Sequence, residues 1–108
     1  SYDFQVERRK NGKEALKSYL KKPVGYYDLI LMDIQMPVMD GLTAAREIRK
    51  SGKKGAQEIP IIAMSANAFK EDVERSLNAG MNAHTTKPIE IEKLVKLLSE
   101  YLSKAKNR

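Results

Sequence analysis

The sequence of 108 residues contains no cysteine and no tryptophan, and its aromatic residues are two phenylalanines and five tyrosines. Without cysteine, the chain can form no disulfide, no thiolate nucleophile and no cysteine-rich zinc site. No apolar run approaches the roughly 18–20 residues of a membrane span, and the N-terminal residues lack the apolar core of a signal peptide. These absences predict a soluble, cytoplasmic domain with no membrane partner.

The charge of the chain is positive, with 20 Lys and Arg against 14 Asp and Glu and a formal net charge of +6. The basic residues are scattered over turns and helix ends, as in Arg8-Arg9-Lys10 and Lys53-Lys54. Scattered lysines usually form a solvated surface, whereas nucleic-acid binding favours a basic stripe with aromatic residues or a recognition helix. We therefore expect no direct nucleic-acid partner.

The apolar spacing predicts strands and helices that alternate within one domain. Strand-like patterns occupy residues 4–8, 29–32, 59–64 and 83–86, and residues with helical spacing follow each of them. Asn11-Gly12 could form a hairpin, but the helical spacing that follows favours a helix start. The polar segment 51–58 is predicted to be a mobile loop. The order β-α-β-α-β-α-β-α indicates a parallel sheet with helices on both faces.

An acid, a hydroxyl and an ammonium follow three of these strands. Asp33 ends an apolar run, Ser65 ends the next, and Lys87 follows the last. Because the carboxyl ends of parallel strands lie at one edge, about 4.8 Å apart, the three side chains can converge on one small group. A carboxylate can attack phosphorus, while an ammonium and a hydroxyl bind phosphoryl oxygens. The set predicts a cradle for a transferred phosphoryl group.

Four segments of the sequence, in the order in which they occur, resemble the receiver domain of two-component response regulators. They are LMDIQMPVMDG around Asp33, PIIAMSANA near Ser65, AGMNAHTTKP through Lys87-Pro88, and the closing amphipathic helix. The resemblance covers essentially the whole chain. The segments MSANAF and GMNAHTTKPI are similar to the corresponding segments of receivers attached to hybrid sensor histidine kinases.

The resemblance implies a role for each matching position. Asp33 matches the phosphoacceptor, Ser65 the switch hydroxyl that turns toward the phosphate, and Lys87 the family's lysine, whose bond to Pro88 would be cis. His84 matches the aromatic position that rotates with the switch. The helix at 69–80, the strand at 83–86 and the last helix would form the output face.

The resemblance also implies a magnesium ion. Asp33 and the backbone carbonyl of Gln35 match two of the positions that hold Mg²⁺ in receivers. The family's remaining metal ligands are an acid pair that ends its first strand. No acid before Asp33 is paired or ends an apolar strand in this sequence.

The expected fold is therefore a flavodoxin-like, doubly wound α/β sheet of strand order 2-1-3-4-5, from which the family's N-terminal strand-helix unit is missing. We expect residues 1–108 to form one N-terminally incomplete receiver domain. The missing strand is central in that order, so its neighbours would lose hydrogen-bond partners. Either the chain is a piece of a longer protein, which is the simpler explanation, or strand exchange in a homodimer fills the slot.

Two functions of different classes are consistent with these features. The first is a phosphoacceptor domain that takes a phosphoryl group from a histidine kinase or phosphotransfer domain onto Asp33 with Mg²⁺. The second is a degenerate receiver that only docks partners. The missing acid pair would distinguish the two. No glycine-rich nucleotide loop is present, so enzymatic activity beyond self-phosphorylation and dephosphorylation is not expected of this chain, although its parent protein could be a hybrid kinase.

Overall fold

The computed structural model of the chain describes Arg9 and residues 11–35, 39–67 and 69–106. Its elements are α1 (Gly12–Lys21), β1 (Ile30–Asp33), α2 (Gly41–Lys50), β2 (Ile61–Ser65), α3 (Lys70–Asn78), β3 (Ala83–Thr86) and α4 (Ile91–Lys106). The predicted alternation is confirmed from the first helix onward, and the strand predicted at 4–8 lies outside the described residues. None of these helices combines the length and the apolar character needed to cross a bilayer.

Helix α1 begins at the Asn-Gly pair, so this pair starts a helix and does not form a hairpin. The Asn11 side chain accepts a hydrogen bond from the Glu14 N–H at 2.9 Å, as an N-cap residue does. Gly12 donates its N–H to the Met39 carbonyl at 2.9 Å, and a Cβ at Gly12 would lie 2.3 Å from that oxygen. The glycine is therefore required by the close approach of two backbone segments.

The three described strands form a parallel sheet in the order β1-β2-β3. In this register Asp33 lies beside Met64, and Ser65 lies beside Thr86. The order matches the last three strands of the expected 2-1-3-4-5 arrangement. The sheet therefore brings the carboxyl ends of its strands to one edge, as the sequence predicts.

The main hydrophobic core contains side chains of α1, α2, β1 and β2. Its buried members are Tyr19, Met32, Ala44, Ala45, Ile48, Ala56, Ile59, Ile61, Ala63 and Met81. Ile62 is also fully buried, and it lies on the other face of the sheet because successive side chains of a strand alternate. Both faces of β2 are thus covered, as expected for a central strand of a doubly wound sheet.

Arg49 joins the loops at the amino ends of β2 and β3. Its guanidinium donates to the carbonyls of Ala56 at 2.9 Å, Ile59 at 2.7 Å and Gly80 at 2.8 Å, and to Asn82 Oδ1 at 2.9 Å. Desolvation by burial lowers the pKa of Arg49, with Tyr19 and Glu58 acting in the opposite direction. The loop predicted as mobile is therefore anchored at Ala56, which is itself buried.

Helix α3 differs from its sequence pattern. Phe69, Val73 and Leu77 recur every fourth residue, yet Phe69 is 62% exposed and Leu77 is 49% exposed, while Ser76 is fully buried. The apolar stripe therefore does not mark the buried face. Gly80, at φ +97°, ends the helix, with its N–H bonded to the Leu77 carbonyl and the Met81 N–H bonded to the Ser76 carbonyl.

Candidate functional site

The polar residues predicted at three strand ends lie at one edge of the sheet. Asp33 is the last residue of β1, Ser65 is the last residue of β2, and Lys87 follows β3 directly. The Lys87 N–H donates to the Ser65 carbonyl at 2.8 Å, so the ladder continues one residue past the strands. The peptide bond between Lys87 and Pro88 is cis.

Asp33 and Lys87 form an ion pair at this edge. Lys87 Nζ lies 2.6 Å from Asp33 Oδ2, and the side chains of Lys87 and Asp33 are 39% and 28% exposed. The Gln35 N–H donates to Asp33 Oδ1 at 2.9 Å. Each carboxylate oxygen thus accepts a hydrogen bond from a described residue, and the pair remains open to solvent and to a small anionic group.

The backbone of Asp33 is fixed from behind by Gly41, the first residue of α2. A Cβ at Gly41 would lie 2.4 Å from the Asp33 carbonyl oxygen and 2.8 Å from Met32 Cγ. Asp40 caps the same helix by accepting the Thr43 N–H at 2.8 Å. The Asp40-Gly41 pair therefore supplies the N-cap of α2, and its glycine permits the helix to touch the end of β1.

The Ser65 hydroxyl contacts neither Asp33 nor Lys87 through a hydrogen bond within the described part of the chain. Ser65 is 2% exposed, and its hydroxyl donates to the Asn67 carbonyl and lies 2.8 Å from His84 Nε2. The structure therefore brings two of the three predicted groups together, and it places the third on the adjacent strand in contact with His84. His84 is half-buried.

The sequence did not predict the contact between His84 and Ser76 of α3. His84 Nδ1 lies 3.1 Å from Ser76 Oγ, which donates to the Asp72 carbonyl at 3.0 Å. The sequence pattern that could have indicated this contact is weak. Ser76 lies three residues after Val73 and three before the buried Ala79, so this polar residue occupies an inward-facing position of α3.

The donor set at Asp33 can be compared with the ligands that Mg²⁺ takes. Mg²⁺ prefers hard oxygen donors, is often bound through one or two carboxylates and keeps several waters. The Asp33 carboxylate and the Gln35 carbonyl are such donors. Across residues 9, 11–35, 39–67 and 69–106, no group of three His, Cys, Asp or Glu side chains is clustered. Two oxygen donors of the kind that Asp33 and Gln35 offer fit an ion that keeps most of its waters.

The surface predicted to be the output face carries exposed apolar side chains. Phe69 and Leu77 belong to the α3 region, and Ile91, at the start of α4, is 62% exposed.

The described chain thus has a parallel α/β sheet with an acid and a lysine paired at its carboxyl edge. The model of the response regulator receiver domain family matches residues 1–99. This chain belongs to that family, and it is a receiver domain of two-component signalling.

Two relatives show the kind of protein in which similar domains occur. Hybrid signal transduction histidine kinase I of Dictyostelium discoideum is 40% identical over 103 residues, which are 94% of this chain and 6% of that protein. Two-component system protein A of Emericella nidulans is 42% identical over 88 residues, or 82% of this chain and 12% of that protein. The chain thus spans a small fraction of these relatives.

Solved receiver structures have the same fold. One match is the crystal structure of the receiver domain of the sensor histidine kinase PA1611 from Pseudomonas aeruginosa PAO1, which has magnesium coordinated in its active site cleft. It matches with a TM-score of 0.79 and 37% sequence identity, over 92% of this chain and 77% of that chain. The receiver domain of a signal transduction histidine kinase from Syntrophus aciditrophicus matches with a TM-score of 0.80 and 31% identity, over 98% and 76%. The flavodoxin-like fold is confirmed.

Proposed function

We propose that Asp33 is the phosphoacceptor of this receiver domain and takes its phosphoryl group from a phosphohistidine. The observation that carries the proposal is the 2.6 Å contact between Lys87 Nζ and Asp33 Oδ2 at the carboxyl edge of the sheet. An exposed carboxylate beside a fixed ammonium can act as a nucleophile toward phosphorus, because the cation offsets the charge that the incoming phosphoryl oxygens bring.

The transfer requires few groups from the protein. An Asp33 carboxylate oxygen forms the new P–O bond while the P–N bond of the phosphohistidine breaks, and the histidine nitrogen leaves with the electron pair and takes up a proton. Gln35 N–H holds Oδ1 at 2.9 Å, so that the carboxylate keeps its orientation. Lys87 then binds a phosphoryl oxygen in the product.

Magnesium is the proposed cofactor, held by the Asp33 carboxylate and the Gln35 carbonyl. When bound, the ion offsets the negative charge of the phosphoryl group during transfer. The magnesium in the P. aeruginosa receiver supports this assignment, since that domain is 37% identical to this chain.

Phosphorylation would shift the domain between two packed states. The Ser65 hydroxyl leaves His84 to bind a phosphoryl oxygen, and His84 follows into the space that opens. Both residues lie on strands that end near Asp33, and His84 also contacts α3 through Ser76. The exposed apolar residues of α3 and α4 are the proposed surface at which a partner senses this change.

The proposed partners are a histidine kinase and a histidine-containing phosphotransfer domain. Relatives named as hybrid histidine kinases support this choice. A hybrid kinase as the parent of this receiver remains part of the proposal, because the chain matches only 6% and 4% of the lengths of those two proteins.

A phosphotransfer assay tests the proposal. The domain is mixed with a phosphotransfer domain that carries labelled phosphohistidine, with and without Mg²⁺. We expect the label to move to the wild-type chain and to Asp28→Asn, an exposed control next to β1, and to be lost in Asp33→Asn. Label retained by Asp33→Asn would contradict the assignment. A folded wild-type chain that takes no label would instead favour the docking function.

A further inference from the structure

A continuous hydrogen-bond path connects Ser65 at the phosphoacceptor edge with helix α3. Ser65 Oγ lies 2.8 Å from His84 Nε2, and His84 Nδ1 lies 3.1 Å from Ser76 Oγ. Ser65 is 2% exposed and Ser76 is 0% exposed. Because these two hydroxyls are buried, water cannot readily replace either contact, and the imidazole is held at both of its nitrogens.

The proton of Ser65 determines the direction of the first contact. A serine hydroxyl has one proton and two lone pairs, and Ser65 donates its proton to the Asn67 carbonyl. His84 Nε2 therefore faces a lone pair of Ser65 Oγ and donates to it. His84 Nε2 also lies 3.4 Å from the same Asn67 carbonyl, which can only accept.

Ser76 Oγ is the hydrogen-bond partner of the other ring nitrogen, His84 Nδ1. With the proton on Nε2, the Nδ1 atom of a neutral imidazole is an acceptor, and the hydroxyl of Ser76 can donate to it. The same hydroxyl lies 3.0 Å from the Asp72 carbonyl, so one proton is shared between two acceptors. Ser76 is itself fixed, since its carbonyl accepts the Met81 N–H at 3.0 Å at the end of α3.

We propose that Ser76 is a positioning residue that holds His84 against Ser65 and thereby keeps the switch hydroxyl engaged while Asp33 carries no phosphoryl group. The proposal rests on the proposed function for its consequence, because the Ser65 side chain must leave both His84 and the Asn67 carbonyl before its hydroxyl can donate to a phosphoryl oxygen. Loss of the Ser76 hydroxyl frees one end of the imidazole, so Ser65 is released more readily and the population shifts toward the phosphorylated arrangement.

His84 is the single histidine of the sequence, which makes it a selective probe. In the unphosphorylated chain labelled with 15N-histidine, we expect a protected Nε2–H proton in the wild type. In Ser76→Ala its exchange with solvent should be faster by roughly tenfold, as expected from the loss of one hydrogen bond. Ser76→Thr, which keeps the hydroxyl, should restore protection, and Ser99→Ala, an exposed helix serine, should leave it unchanged.

Equal protection in wild type and Ser76→Ala would overturn the proposal, and so would the absence of a protected proton from the wild type. Alanine favours helices more than serine, so α3 is expected to persist in the test variant. This measurement needs no phosphate, so it can succeed even if Asp33 proves not to accept a phosphoryl group. After addition of a small acyl phosphate and Mg²⁺, protection should fall in the wild type but not in Asp33→Asn, and that arm tests the proposed function.

Discussion

Lys87 Nζ lies 2.6 Å from Asp33 Oδ2, although 54 residues separate them in the sequence. The contact follows from the parallel sheet, which brings the end of β1 and the residue after β3 to the same edge although β2 lies between them. A long lysine side chain can bridge that distance. The ion pair therefore links the two outer strands of the described sheet across its carboxyl edge.

The first prediction concerns Lys87. Because the ion pair is partly exposed, Lys87→Ala should change the free energy of unfolding by less than about 1 kcal/mol. It should slow phosphoryl transfer by about 100-fold, since the cation that faces the developing charge is removed. Urea denaturation and the rate of labelling measure the two effects. Lys93→Ala, an exposed lysine of α4, is the control, and normal labelling of Lys87→Ala would remove Lys87 from the site.

The second prediction concerns Gly41, where α2 touches β1. In an open helix, replacing glycine by alanine would stabilise the protein by up to about 1 kcal/mol. Here the new Cβ would lie 2.4 Å from the Asp33 carbonyl oxygen. We expect Gly41→Ala to destabilise the fold by about 1–3 kcal/mol and to reduce labelling of Asp33.

Glu47→Ala is the matched control for that substitution, because Glu47 is exposed on the same helix. It should leave both stability and labelling nearly unchanged. A Gly41→Ala protein as stable and as readily labelled as the wild type would show that the contact between α2 and Asp33 is not required.

The third prediction concerns Arg49. Arg49→Met removes four hydrogen bonds to two loops and leaves buried carbonyls without donors, so the free energy of unfolding should fall by about 2–4 kcal/mol. Arg49→Lys should not restore it, because one ammonium cannot reach acceptors that surround a planar guanidinium. Urea denaturation measures the loss, with Arg46→Met, exposed on α2, as the control. A loss equal to that of Arg46→Met would contradict the anchoring role.

The fourth prediction concerns the pH dependence of stability at Asp40. The hydrogen bond from the Thr43 N–H is the main cause that lowers the pKa of Asp40 from its ordinary value of 3.8, against a smaller opposing effect of desolvation. The lower pKa in the folded state means that ionised Asp40 favours folding. This contribution is present above the pKa of the unfolded chain and is lost as the pH falls through the folded pKa.

Asp40→Asn keeps a good N-cap but cannot titrate. The wild type should therefore be more stable than this variant at pH 7, by about 0.3–1 kcal/mol, and the difference should shrink as the pH falls below 3.8. Urea denaturation at the two pH values measures it, and Asp28→Asn controls for the loss of one carboxylate. A difference that persists unchanged at pH 3 would contradict the assigned role of the charge.

The sequence predicted the framework of the site because that framework follows from local patterns. Asp33 and Ser65 end apolar runs, and Lys87 precedes a proline, so a parallel sheet must place them at one edge. The Asp40 cap and the glycine that ends α3 were also predictable, since each depends on a few neighbouring residues.

The side-chain contacts were not predictable in the same way. The Ser65 hydroxyl is hydrogen-bonded to His84 and to the Asn67 carbonyl and not to the ion pair of Asp33 and Lys87. Which of these partners comes within hydrogen-bond distance depends on the tertiary structure. The spacing of Phe69, Val73 and Leu77 predicted helix α3 itself, but it does not indicate that Phe69 and Leu77 are exposed while Ser76 is buried. Arg49 follows the helical spacing of the apolar residues of α2, and only the fold reveals its four acceptors.

The most direct test of the central claim is the chemical location of the phosphoryl group. After phosphotransfer in the presence of Mg²⁺, borohydride reduces an aspartyl phosphate to homoserine, and mass spectrometry of the peptides identifies the altered position. We predict homoserine at position 33 in the wild type and at no acid in Asp33→Asn. Homoserine at another acid, or a stable phosphate on His84 or Ser65, would contradict the proposal that Asp33 is the phosphoacceptor.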